Sequence, residues 1–271
     1  MQPDKLYMLI DEILKGLNNK EDKRSLLSDS EIIFIYISAC YNFSGNYSKA
    51  LDFLSFTKLI KYKLSKSRFS RRLKKLKSII LIIFNIISEI GKTEADYFHM
   101  DSFPVRVCHN IRIGRCKIVK GEIYRGYNSS KREYYFGYKV QLITSNDGYA
   151  VEVKFLPCSF HDTEAFEVMD FNLPDESELF TDSGYTAYYM EDILAEEQKI
   201  KLMTMRKKNS KMPDNNLSSN YIKQTKRHAV ETHISSIVKL FPNKIHAINS
   251  DGFLLKIFGF ILSYNFYLLL K

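Results

Sequence analysis

Near residue 95 this chain changes the period of its apolar pattern, and nothing else in it restricts the fold as strongly. Residues 1 to about 92 read as helical throughout. Ser28-Asp-Ser-Glu31 has the spacing of a capping box and opens a run with Ile32, Ile33, Ile35, Tyr36 and Ile37. A second short helix is predicted over Tyr47 to Phe56. A third begins after Ser65 or Ser67 and runs through a basic patch into the Ile-rich stretch ending at Ile90. From Tyr97 the pattern is that of strands. Tyr97 to Val107 is rich in aromatic and β-branched residues. Pro104 lacks an N–H for a ladder, so this strand is expected to end or bulge just after Asp101.

Phe136 to Pro157 is the clearest hairpin. Tyr138, Val140 and Leu142 alternate with Lys139 and Gln141 before a Ser145-Asn-Asp-Gly148 turn, and Tyr149, Val151, Val153 and Phe155 alternate with Glu152 and Lys154 after it. A helix is predicted from His161 to Met169, a strand from Glu178 to Thr181, a helix from Ala187 to Glu197 and a strand from Lys201 to Met205. A basic, Asn/Ser-rich loop covers 206–220, followed by a helix around Tyr221 to Leu240 and an apolar C-terminal helix. Strand, hairpin, then alternating helices and strands predict an α/β fold with a helix-covered sheet. The expected division is a helical domain at 1–92 and an α/β domain at 93–271.

The charge is local. The chain has 40 Lys+Arg against 31 Asp+Glu, a net charge of +9. Lys58, Lys61, Lys63, Lys66, Arg68, Arg71, Arg72, Lys74, Lys75 and Lys77 follow one another without an acid, so the remainder is close to neutral. A concentrated excess of this kind points to a polyanion, and Lys66, Arg68, Arg71, Arg72, Lys74 and Lys75 are the expected DNA contacts. Short helices followed by a helix with cations on its leading turns resemble a helix-turn-helix reader. A bundle with one solvated basic face has the same pattern. Lys207, Lys208 and Arg227 belong to a second basic stretch between residues 199 and 227 that is expected to face phosphates.

Four cysteines without a C-x-x-C pair, and an N-terminus unlike a signal peptide, point to a reducing, cytoplasmic setting. Cys108, His109 and Cys116 match no common zinc spacing. Ser78 to Ile90 is too short to span a bilayer. Phe253 to Leu270 is interrupted by Lys256, Ser263 and Asn265 and reads as a core helix packed on the sheet, so no membrane partner is expected.

Three carboxylates stand out. Asp101 lies in an otherwise apolar strand. Asp182 sits where a strand stops and a Ser-Gly turn begins, the end of an α/β sheet at which ligands gather. Glu231 lies about 100° off the stripe of Val230, Ile234, Ile237 and Phe241 on the late helix. Plainer roles exist for each: Asp182 as a cap, Glu231 as a partner of Arg227. Spacing alone leaves both readings open.

The segments YFHMDSFPVRVCHN (97–110), LFTDSGYTAYYMEDIL (179–194) and RHAVETHISSIVKLFP (227–242) resemble the three catalytic motifs of bacterial insertion-sequence DDE transposases. SKSRFSRRLKKL (65–76) and FGYKVQLITSNDGYAVEV (136–153) are similar to the insertion sequence 982 family. The resemblance implies a ribonuclease-H-like mixed sheet flanked by helices, with Asp101, Asp182 and Glu231 as the catalytic and metal-holding acids. Arg227-x-x-x-Glu231 resembles the R-(3)-E signature of related transposases, although Gln224 and Val238 stand where that signature has tyrosine and lysine. It further implies Mg²⁺ as cofactor, with Mn²⁺ able to substitute. The implied partners are DNA, both transposon ends and target, and further copies of the chain when DNA is bound. Two alternatives share these features: a metal-dependent nuclease on the same fold, and a catalytically silent DNA-binding relative.

Overall fold

The computed structural model describes residues 1–271 except 23, 129–131, 207–209 and 212–216, together with the side chains at 217–220, 227 and 228. The chain forms two compact units. One contains Met1–Ile87, Ile237–Ile245 and Leu255–Lys271, and the other Ser88–Ser236 and His246–Leu254.

The first unit is helical. It holds α1 (Pro3–Gly16), α2 (Asp29–Asn42), α3 (Tyr47–Phe56), α4 (Lys66–Lys75) and most of α5 (Lys77–Thr93). The capping box forms as expected: Ser28 accepts from the Glu31 amide, and the Glu31 carboxylate accepts from the Ser28 amide. Residues Ile32 to Cys40 of α2 are all buried, so α2 is the central helix of this unit. The long third helix expected from sequence is two helices. The chain breaks at Leu76, whose amide is shared between the Arg72 and Leu73 carbonyls, tightening the last turn of α4.

The C-terminal helix, α9 (Ser250–Leu269), corrects another expectation. Phe253 stacks on Tyr138 of the sheet, with ring centroids 5.9 Å apart. From Leu255 onward, however, the helix belongs to the helical unit rather than lying on a sheet. Tyr36 donates to the Leu255 carbonyl at 2.6 Å, Phe84 meets Phe258, and Tyr41 stacks on Tyr267. Among the described residues α9 is one helix long and apolar enough to cross a membrane, but 61% of its apolar window is buried in the protein. Lys256 is buried with its Nζ 4.8 Å from the centre of the Tyr47 ring, a use for the cation that interrupts the apolar run.

The second unit is built on a mixed sheet. Its strands are β1 (Phe98–His109), β2 (Arg125–Asn128), β3 (Glu133–Ser145), β4 (Ala150–Pro157), β5 (Glu178–Thr181) and β6 (Lys201–Thr204). The order is β2-β3-β1-β5-β6, with β4 pairing β3. β3 runs antiparallel to β1, β2 and β4, whereas β1, β5 and β6 are mutually parallel. Helices α6 (Asp162–Glu167), α7 (Tyr188–Glu197) and α8 (Leu217–Val238) follow β4, β5 and β6. The hairpin turn falls where predicted. Gly148, at φ +92°, supplies the left-handed residue and donates to the Ser145 carbonyl.

β1 departs from expectation. It continues through Pro104, which pairs in register with Lys139, and its irregularity lies between Arg106 and Cys108. The reason is its neighbours: β5 accompanies β1 only from Phe98 to Met100, so beyond that point one edge of β1 has no strand beside it among the described residues. A proline there removes no bond from a central ladder.

Candidate active site

Parallel pairing of β1 with β5 matches Phe98 to Leu179, His99 to Phe180 and Met100 to Thr181. Asp101 and Asp182 are the next residues on the two strands. Neighbouring strands run about 4.8 Å apart, so the register places the aspartates side by side, Asp182 just past the end of β5 and Asp101 within β1. Each carboxylate accepts from the amide that follows it, Ser102 for Asp101 and Ser183 for Asp182, both at 2.7 Å. Asp182 thereby caps the short 3₁₀ turn Ser183–Tyr185. Both aspartates are half-buried. They line one small cavity together with His99, Met100, Phe180, Thr181, Lys223 and Val230.

Glu231 is placed differently. It is exposed and is not part of the cavity lining, although Val230 beside it is. A residue is a 100° turn on an α-helix, and α8 turns Val230 rather than Glu231 inward. The structure therefore brings Asp101 and Asp182 together and leaves Glu231 outside the lining they share. Among the described residues no three His, Cys, Asp or Glu side chains converge as metal ligands.

His99 lies on the cavity wall two residues before Asp101. It is fully buried, and neither ring nitrogen has a hydrogen-bond partner among the described residues. Burial above all, then the nearby His233 and Lys226, lowers its pKa to about 4, so the ring is neutral at pH 7. Lys226 sits 3.8 Å from the centre of the Tyr97 ring and 4.5 Å from that of Phe180, with Glu178 at 3.7 Å. Lys223 donates to the Thr204 carbonyl at 3.3 Å.

Several cations that sequence grouped as phosphate contacts are engaged with acids. Lys199 pairs with Asp175, Lys201 with Glu178, and Arg206 with Glu191 while also facing the Tyr188 ring. Lys207 and Lys208 lie outside the described residues, as does the side chain of Arg227. In the helical unit, α4 buries Phe69 and Leu73 and leaves Lys66, Arg68, Arg71, Lys74 and Lys75 exposed. Arg72 differs: it pairs with Asp29 and donates to the Leu27 carbonyl, so it anchors α4 to the start of α2. Residues 57–65 join α3 to α4, a longer link than the roughly three- to four-residue turn of a helix-turn-helix.

Two groups near the aspartates had little signal in sequence. Asp162 pairs with Lys139 at 3.0 Å, and the Tyr185 hydroxyl is hydrogen-bonded to Gln141. Polar residues on a strand buried on both faces are their one trace in the sequence.

A mixed sheet of four antiparallel strands, β2 and β4 sharing one edge of β3, continued by two parallel ones, with helices following and acids at the parallel junction, fits the ribonuclease-H-like class of transposase folds. The chain belongs to the transposase DDE domain family, whose family model matches residues 90–246, more than half its length. Its fold is similar to that in a cryo-EM structure of the piggyBac transposase synaptic complex with hairpin DNA. The TM-score is 0.51 at 12% identity, over 98% of this chain and 74% of that one. No curated protein matches the sequence significantly. Family membership makes the chain an enzyme of DNA transposition, one that cleaves DNA and transfers strands, and divalent metal ions generally serve that family.

Proposed function

We propose that this transposase belongs to the insertion sequence 982 group, cutting the ends of its own element and joining them to target DNA with Asp101, Asp182 and Glu231 as its acids. The observation that carries the reading is the register of β1 against β5, which sets Asp101 and Asp182 at adjacent strand positions on one cavity. Their carboxylate oxygens are hard donors of the kind Mg²⁺ takes, with Mn²⁺ as a substitute. Asp101 and Asp182 would hold such an ion, and Glu231, next to the cavity-lining Val230, would be the third acid. When bound, the metal offsets the negative charge that builds on the attacking and leaving oxygens of a phosphodiester.

The residues of the chain supply the setting. The amides of Ser102 and Ser183 hold one oxygen of each aspartate and orient the carboxylates. Phe180, Met100 and Val230 keep the cavity wall apolar, which strengthens electrostatic interactions within it. DNA contact is assigned to the exposed α4 cations Lys66, Arg68, Arg71, Lys74 and Lys75, with Lys207, Lys208 and Arg227 nearer the acids in sequence. On this reading the helical unit, with the basic α4, docks DNA and the sheet unit carries the chemistry. The enzyme works in the cytoplasm, and two ends are joined by more than one copy of the chain.

The test is a supercoiled plasmid carrying the DNA that flanks the coding sequence, incubated with protein and Mg²⁺ or Mn²⁺. End cleavage and joined products that vanish in Asp182→Asn are the expected result. Cleavage without joining would favour a nuclease, and binding without cleavage a silent relative.

A further inference from the structure

One ion pair beside the aspartates connects both of the strands that carry them. We propose that Lys139 and Asp162 form a positioning pair that sets the separation of the Asp101 and Asp182 segments. The inference rests on the reading of those two aspartates as the ion-holding acids.

Lys139 is on β3, opposite Pro104 and therefore three residues beyond Asp101 on β1. Its Nζ donates to the Phe160 carbonyl at 2.6 Å and to the Asp162 Oδ1 at 3.0 Å. The same Oδ1 accepts from the Ser102 hydroxyl at 3.4 Å, and Ser102 directly follows Asp101. The other oxygen, Oδ2, lies against Gly184: a Cβ added to that glycine would stand 2.9 Å from it. Gly184 is the second residue after Asp182. One carboxylate thus touches the chain just past each aspartate.

Gln141, two residues along the same face of β3, does the parallel job for Tyr185, whose hydroxyl it meets at 2.9 Å. Asp162, held by Lys139, and Gln141 thus tie the turn after Asp182 to β3, the strand beside β1. The electrostatics suit positioning rather than ion binding. Asp162 does not line the cavity, and Lys139, largely buried, compensates its charge. The pair therefore adds rigidity near Asp101 and Asp182 without adding net negative charge to their site. An exposed ion pair would contribute little, but this one shares its oxygens among three separate segments.

The experiment measures Mn²⁺ affinity of the full-length, DNA-free protein by electron paramagnetic resonance, with thermal melting alongside. Asp162→Asn, Lys139→Met and Gly184→Ala are each expected to raise the Mn²⁺ Kd roughly tenfold or more, as loss of outer partners of metal ligands does. The double variant Asp162→Asn/Lys139→Met is expected to bind no worse than the weaker single one, because the two act as a unit. Gly184→Ala keeps every charge and reports even where a charge variant fails to fold. Unchanged Kd values in folded variants, or losses that multiply in the double variant, would overturn the proposal. Asp101→Asn separates the ion site from its positioning. A lost Mn²⁺ site in Asp101→Asn with an unchanged one in Gly184→Ala and Asp162→Asn removes only the positioning role. An unchanged site in Asp101→Asn removes the ion-site reading and the positioning role together.

Discussion

Replacing Asp182 by Asn and by Ala separates chemistry from folding at one position. Asp182 has two jobs: its Oδ1 accepts from the Ser183 amide at 2.7 Å, and its charge faces the cavity shared with Asp101. Asn retains an acceptor oxygen and caps as well as Asp does, so Asp182→Asn should change stability by only a few tenths of a kcal/mol. Ala removes the acceptor, at a cost of about 1 kcal/mol. Both remove the charge. If a metal held there is worth about 4 kcal/mol of transition-state stabilisation, its loss lowers cleavage on the order of a thousandfold. The assay pairs single-turnover cleavage of end-containing plasmid in Mn²⁺ with urea unfolding of each variant. Asn is expected to be stable and inactive, Ala less stable and inactive. Cleavage by Asp182→Asn within tenfold of wild type would refute the assignment of Asp182, whatever its stability.

Other predictions concern DNA, packing and pH. Changing Arg68, Arg71 and Lys74 to Ala should flatten the salt dependence of DNA binding by about 0.9 for each phosphate no longer neutralised, and an unchanged slope would mean that this face of α4 meets only water. Arg72→Ala should act on stability instead, by roughly 1–3 kcal/mol, because it removes the guanidinium that serves Asp29 Oδ1 and the Leu27 carbonyl; a melting curve identical to wild type would contradict this. Gly259→Ala should cost about 1–3 kcal/mol in a urea titration, since the new Cβ would stand 2.6 Å from Cys40 Sγ and 2.7 Å from the Tyr36 ring, and no loss would mean α2 and α9 can move apart cheaply. His99, whose folded pKa is lowered from 6.5 to about 4, contributes stability that is complete above pH 6.5. Between pH 6.5 and 4 the unfolded chain takes up the proton first, so up to about 3 kcal/mol is lost on acidification. His99→Phe should lose that part of the acid sensitivity, measured by melting between pH 7 and 5 in a chelator; equal sensitivity would place the effect elsewhere.

The kind and order of the elements were legible in the residues alone. The Ser28–Glu31 capping box, the Ser145–Gly148 turn and the strand at Glu178–Thr181 are all where local pattern put them. Each depends on residues a few positions apart, and period, caps and turn chemistry are local quantities. The aspartates were legible by resemblance, and the end of β5 next to Asp182 by pattern, whereas the expected end of β1 after Asp101 was not found. Their juxtaposition was not, because it follows from the register of β1 on β5, strands about eighty residues apart. Tertiary structure likewise decided that Val230 rather than Glu231 lines the cavity, since a hydrophobic stripe names a buried face without naming what it faces. It let Pro104 stay within β1 by leaving that edge unpaired, turned Arg72 from the basic face to Asp29, and drew α9 from Leu255 onward among helices. Lys139 and Asp162 lie 23 residues apart, and only the folded chain brings their charges within 3.0 Å. Partners distant in sequence meet because a compact chain must bury its apolar faces and pair its buried charges, and that requirement is met by the whole fold at once.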